Sequence, residues 1–117
     1  MNADDRRREP RIDHKRLAHV AQDSVGAEYN EEIMGNTADL SMGGVRFEGH
    51  DGFKEGSHVR VSFAIDDNVV EANGQVVHFT PKEDGTVTMG IKFLGLSEVN
   101  RKLLLDYCQT RSDQGGN

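Results

Sequence analysis

The chain has 117 residues, room for one domain with ragged ends. It is 35% hydrophobic and 29% charged, with 13 Gly, 2 Pro and no Trp, a balance that suits strands joined by tight turns. A net charge of −6 argues against long duplex DNA or an anionic membrane as partner for the whole surface, and the single Cys108 rules out an internal disulfide.

The positive charge gathers at the start, where Arg6, Arg7, Arg8, Arg11, Lys15 and Arg16 are six of the 14 cationic residues. A small anion can be met there locally. Residues 1–14 lack apolar periodicity and are expected to form a flexible basic arm. No apolar core of a signal peptide follows Met1, and no run nears the roughly 18 apolar residues of a membrane span, so a cytoplasmic location is expected.

From residue 15 to 110 the pattern predicts a folded unit. Leu17 to Gln22 and Val45-Arg46-Phe47 read as short strands, and a further strand is expected to end near Leu40 after a stretch, 24–37, with no clear period. Val59, Val61, Phe63 and Ile65 alternate with polar or small residues, the mark of a half-buried strand. Asp66-Asp67-Asn68 forms a turn, and Val69 to Thr80 a second long strand in which Gly74 marks a bulge or bend. After the turn Pro81 to Gly85, a third run puts Val87, Met89, Ile91 and Phe93 on one face. The period then changes. Ser97 can cap a helix whose apolar stripe is Val99, Leu103, Leu104, Tyr107 and Cys108, and residues 111–117 are expected to fray as a disordered tail. Short-linked strands and one terminal helix favour a small antiparallel barrel.

Two short motifs carry chemistry. The first is Arg6-Arg7-Arg8-Glu9-Pro10-Arg11. Guanidinium is a planar, permanently charged fork that matches phosphate oxygens and the O6/N7 edge of guanine. Pro10 keeps Glu9 out of helix, so the segment is extended, with Arg7 and Arg11 on one side and Arg6 and Arg8 on the other. Taken alone, it equally describes a solvated basic terminus. The second motif is Asp39-Leu40-Ser41-Met42-Gly43-Gly44. An ionised Asp39 only accepts, which suits the N1–H and N2–H₂ donors of guanine; Ser41 can donate and accept; Gly43 and Gly44 permit positive φ and close approach of a ligand. Taken alone, it describes an ordinary turn.

In this order, the Arg-Arg-x-x-x-Arg and Asp-x-Ser-x-x-Gly motifs resemble those of the PilZ domain family. The resemblance continues in Gly44-Val45-Arg46-Phe47, in Met89-Gly90-Ile91-Lys92-Phe93 and in the helix from Ser97, spanning about residues 5 to 110. It implies an all-β fold, a six-stranded antiparallel β-barrel of split-barrel type with a C-terminal α-helix. It also implies cyclic di-GMP as ligand, with no cofactor and no catalysis. Arg7 and Arg11 fill the arginine positions of the first motif; Asp39, Ser41 and Gly44 fill the second, with Gly43 beside them. Arg6 stands where arginine accompanies binding of a stacked ligand pair. His78 lies near a position at which family members carry an aromatic that packs on guanine; an imidazole could do so, or could simply sit at the barrel rim. Arg46 could reach the ligand or be a plain exposed strand residue.

The expected function is that of a receptor whose arm orders on binding and so regulates an unidentified partner protein in motility, biofilm or virulence output. Three rivals stand beside it: a PilZ-like interaction scaffold without nucleotide, a barrel binding single-stranded nucleic acid through its arm, and a small enzyme. The charge of −6 and the want of an aromatic platform weigh against the second. Ser41 lacks a nucleophile elbow, and the five histidines and Cys108 match no zinc spacing, which weighs against catalysis and a metal site.

Overall fold

Strand β1 (Ile12–Asp13) opens the fold, followed by β2 (Leu17–Gln22), β3 (Glu32–Leu40), β4 (Gly44–Gly49), β5 (His58–Ile65), β6 (Asn68–Pro81), β7 (Val87–Leu96) and helix α1 (Glu98–Gly115). The structure is a computed structural model, and it describes residues 11–23 and 31–115, with side chains to Arg111. The strands run in the order β1-β3-β2-β5-β6-β7-β4, every pairing is antiparallel, and β3 also pairs with β4. That last pairing closes β2 to β7 into a six-stranded barrel, and β1 is an extra strand.

Alternation decides which residues face inward. On β5, Val59, Val61, Phe63 and Ile65 are buried, and the opposing residues Val70, Ala72 and Val76 of β6 meet them inside. Phe47, Leu40, Met89 and Ile91 complete the interior, and Phe63 stacks on Phe93 with centroids 6.2 Å apart. Each fully buried side chain of this size stabilises the fold by about 1.5–3 kcal/mol. The 14-residue β6 bends as its sequence suggested: its pairing with β7 shifts between Asn73 and Gly74, and again between Val76 and His78. An added Cβ at Gly74 would stand 2.7 Å from the Lys92 carbonyl oxygen, so the bend requires glycine.

Helix α1 packs against β1, β5, β6 and β7. Ser97 Oγ accepts from the Asn100 N–H at 3.1 Å, the expected cap. Leu104 and Cys108 are buried, with Leu103 and Tyr107 packed beside them. Val99 departs from the expected stripe and is 71% exposed. At that first turn Asn100 faces the barrel instead, its Nδ2 donating to the Glu71 carbonyl at 3.1 Å. The helix also continues to Gly115, past the expected start of a tail at 111.

The N-terminal boundary differs as well. Residues 1–10 of the expected arm lie outside the described residues, but Ile12 and Asp13 pair with Leu40 and Asp39. β1 therefore occupies the place beside β3 that β2 vacates, for β2 pairs only with Glu32 to Asn36. A division of the chain at residue 14 would pass through this paired backbone, where His14 is 4% exposed. Between the two strands the ladder is interrupted, and Thr37 fills the gap. Its hydroxyl oxygen accepts from the Arg16 N–H at 3.1 Å, and its own N–H donates to the Arg16 carbonyl at 2.9 Å.

Candidate functional site

Asp39 is the second-last residue of β3, just after a register shift between Thr37 and Asp39 in the pairing with β4. This shift sets Asp39 opposite Arg46 on one side, while β1 sets Asp13 opposite it on the other. The Asp39 carboxylate is only 11% exposed. Arg11 Nε donates to Oδ1 at 2.7 Å, with Arg11 Nη2 also against Oδ1, and Arg46 Nη2 lies 2.8 Å from Oδ2. Two half-exposed guanidinium groups thus bracket one nearly buried carboxylate. A carboxylate has about four lone-pair directions, so acceptor capacity remains on Asp39 even in this state.

The turn that follows is built by its own serine. Ser41 is 1% exposed; its hydroxyl oxygen accepts from the Gly43 N–H at 3.2 Å, and its N–H donates to the Gly44 carbonyl at 2.9 Å. The Gly43 carbonyl in turn accepts from Phe93 N–H at 2.9 Å. Among the described glycines only Gly56 and Gly85 have positive φ, so Gly43 and Gly44 do not use the positive φ that the sequence allows them. What demands glycine at 44 is proximity: an added Cβ would collide with the Ile91 carbonyl of β7.

Beyond the turn, cross-strand register continues the site. Arg46 pairs with Gly90 on β7, and Gly90 pairs with His78 on β6. The exposed His78 ring lies beside Gly90, with Cδ2 3.3 Å from where a Cβ would stand. The exposed Lys92 is two pairs further along, opposite Gly44. The outer face of β3, β4, β7 and β6 therefore carries a row of Asp39, Arg46, Gly90 and His78, with Arg11 reaching in from the arm. Such a row offers cations for phosphates, a carboxylate for the donor edge of a purine, and a side-chain-free strip for a flat ring.

Of the residues read from sequence, Arg11, Asp39, Ser41, Gly43, Gly44, Arg46 and His78 are all at or beside this row. Arg6 and Arg7 lie outside the described residues. Ser41 shapes the turn from a buried position. Sequence reasoning missed that Arg46 pairs with Asp39, weighed His14 only as a metal ligand, and did not single out Lys92; alternation marked Arg46 and Lys92 as outward, but no local signal says which strands adjoin. Among the described residues no group of three or more His, Cys, Asp or Glu is arranged to hold a metal, and no helix is long and apolar enough to cross a membrane.

The family model described as the PilZ domain matches residues 5–110. The fold resembles an inhibitor of motility from Bacillus subtilis (MotI/DgrA), with a TM-score of 0.76 at 18% identity over 93% of this chain and 52% of that one. It also resembles the PilZ domain of YcgR from Escherichia coli, solved with c-di-GMP, with a TM-score of 0.68 at 16% identity and 94% of each chain covered. Against YcgR in complex with c-di-GMP the TM-score is 0.71 at 18% identity, covering 95% of this chain and 48% of that one. The chain thus spans about half the length of MotI/DgrA and of the longer YcgR chain. No curated protein matches the sequence.

Proposed function

The chain belongs to the PilZ domain family, and on that premise we propose that it is a non-catalytic receptor for cyclic di-GMP. The observation that carries the reading is the Asp39 carboxylate held between Arg11 and Arg46 beside the Ser41–Gly44 turn. Cyclic di-GMP has two phosphates and two guanines, and its recognition needs cations, a carboxylate acceptor and open backbone. Asp39 accepts from the N1–H and N2–H₂ of one guanine. Arg11 and Arg46 turn part of their donor set from the carboxylate to phosphate oxygens or to guanine O6/N7. Gly43 and Gly44 let the base approach the backbone, Ser41 keeps the turn in shape, and His78 stacks on a base lying along Gly90.

Arg6 and Arg7 add charge from the arm, with Arg6 favouring a stacked pair of ligands. Phosphate neutralises the mutual repulsion of the arm's arginines, so the arm orders as ligand binds. The ordered arm then presents a surface to a partner protein, with motility, biofilm or virulence as the output and the cytoplasm as the setting.

One observation favours the scaffold reading: Asp39 has ion-pair partners within the chain itself, the guanidinium groups of Arg11 and Arg46. Titration calorimetry with cyclic di-GMP separates the two, using wild type, Arg7→Ala and Asp39→Ala. The receptor reading expects heat from wild type and a large loss of affinity in both variants. No heat from wild type would promote the scaffold, and binding that survives both substitutions would move the site elsewhere.

A further inference from the structure

His14 lies between β1 and β2 and is 4% exposed, yet its ring is fully engaged. Nε2 is 2.9 Å from the Ala64 carbonyl oxygen of β5, and Nδ1 is 2.6 Å from Thr37 Oγ1 of β3. Phe63 and Tyr107 meet the ring edge-on, with centroids at 5.8 and 5.6 Å. A carbonyl can only accept, so Nε2 carries the hydrogen and donates to Ala64. In the neutral ring Nδ1 is then an acceptor, and the Thr37 hydroxyl, which also lies 2.8 Å from the His14 carbonyl oxygen, turns its single hydrogen to the closer ring nitrogen. The backbone is tied at the same place, since the His14 N–H donates to the Ala38 carbonyl at 3.1 Å.

An apolar side chain would fill this space as well as an imidazole does. The ring's neighbours include the aromatic rings of Phe63 and Tyr107, and burying a polar ring costs free energy unless each nitrogen is bonded. What imidazole adds is direction. One nitrogen ties the segment to β5 and the other to β3, on the same strand and the same stretch as Asp39. The tied segment is the one that carries Arg11 onto Asp39.

We propose that His14 is a positioning residue: its two ring bonds clamp the root of the arm so that Arg11 meets Asp39. The proposal deepens the cyclic di-GMP reading and rests on it for its affinity readout. It does not touch ligand itself and acts through Arg11.

The test uses the full chain and three variants. His14→Phe keeps the apolar packing and removes both ring bonds. Thr37→Val removes the Nδ1 bond together with the hydroxyl's bonds to the Arg16 N–H and the His14 carbonyl, and it stands in if His14→Phe fails to fold, with His14→Gln separating the ring's share. His14→Gln restores a donor toward Ala64. Amide hydrogen exchange at Ile12 to His14, measured without ligand, is expected to quicken at least tenfold in His14→Phe and Thr37→Val and to recover in part in His14→Gln. Calorimetry is expected to give about a tenfold weaker affinity for cyclic di-GMP in the first two variants, again partly rescued by glutamine. Unchanged exchange at residues 12–14 in the variants overturns the clamp, whatever the ligand does. Quickened exchange with wild-type affinity overturns the positioning role. If wild type gives no heat with cyclic di-GMP while exchange quickens as stated, the ligand reading fails and the clamp stands.

Discussion

Replacing Asp39 by alanine removes the carboxylate that joins Arg11, at the root of the arm, to Arg46 of β4. Its carboxylate is 11% exposed, whereas Arg11 and Arg46 are 48% and 51% exposed. Fully exposed ion pairs contribute about 0.2–1 kcal/mol, and breaking a fully buried pair costs about 3–5 kcal/mol because a charge is stranded. Here the charges left behind are half in water and stay hydrated, so nothing is stranded. Each pair should therefore lie at the top of the exposed range, about 1 kcal/mol, or about 2 kcal/mol together. For a domain of this size that is a fall in Tm of about 10 °C. High salt should shrink the difference, because both arginine partners are open to screening. Ligand affinity should fall further than stability does. On the proposed reading the lost acceptor serves two guanine donors, and even one hydrogen bond to a charged group contributes about 1.5–3 kcal/mol, so the loss is at least about tenfold to 150-fold. Thermal melts at low and high salt, followed by calorimetry in the same buffer, measure both quantities. A variant that melts within about 2 °C of wild type would refute the view that Asp39 ties β1 to β4. One that fails to fold would refute the solvated-pair reasoning.

Stability should also respond to acid through His14. Burial is the largest cause of its lowered pKa, opposed by the bond to the Ala64 carbonyl, with Arg16 and Arg111 lowering it further and Asp66 raising it. The native ring is neutral where the unfolded ring, near its ordinary 6.5, takes up a proton, so the unfolded state binds more protons. This contribution is complete above about pH 6.5 and is lost as pH falls from there through the lower native value. Urea midpoints between about pH 7.5 and 5 should fall more steeply for wild type than for His14→Phe, and equal slopes would count against a buried neutral ring. Leu104→Ala should cost about 2–5 kcal/mol, since the side chain is fully buried where α1 meets the barrel; urea unfolding with unchanged slope is the measurement. Gly44→Ala should cost about 1–3 kcal/mol by pressing β4 away from the Ile91 carbonyl, and melts should register it even though the glycine φ is ordinary.

The strands of this barrel were legible locally because a half-buried strand alternates every second residue. Val59 to Ile65 and Val87 to Phe93 declare their inner faces without reference to any partner. The helix announced itself through Ser97 and the Leu104–Cys108 spacing, and Gly74 marked the bend of β6. The two motifs pointed to a binding chemistry, because acceptor-only carboxylates, guanidinium forks and glycines have few uses in combination.

Only the tertiary structure decided who meets whom. A period of two says that Arg46 points outward, but the neighbour it finds depends on long-range pairing, and a register shift after Thr37 is what brings Asp39 opposite it. The same pairing lines up Gly90 and His78 from two further strands. His14 reads in sequence as one polar residue of a basic arm, and it is buried because β1 takes the place beside β3 that β2 leaves open. Val99, which fits the helical stripe, is left exposed, while its neighbour Asn100 meets β6 through the Glu71 carbonyl. Faces are set by local stereochemistry, whereas neighbours are set by how the closed sheet satisfies every backbone hydrogen bond at once.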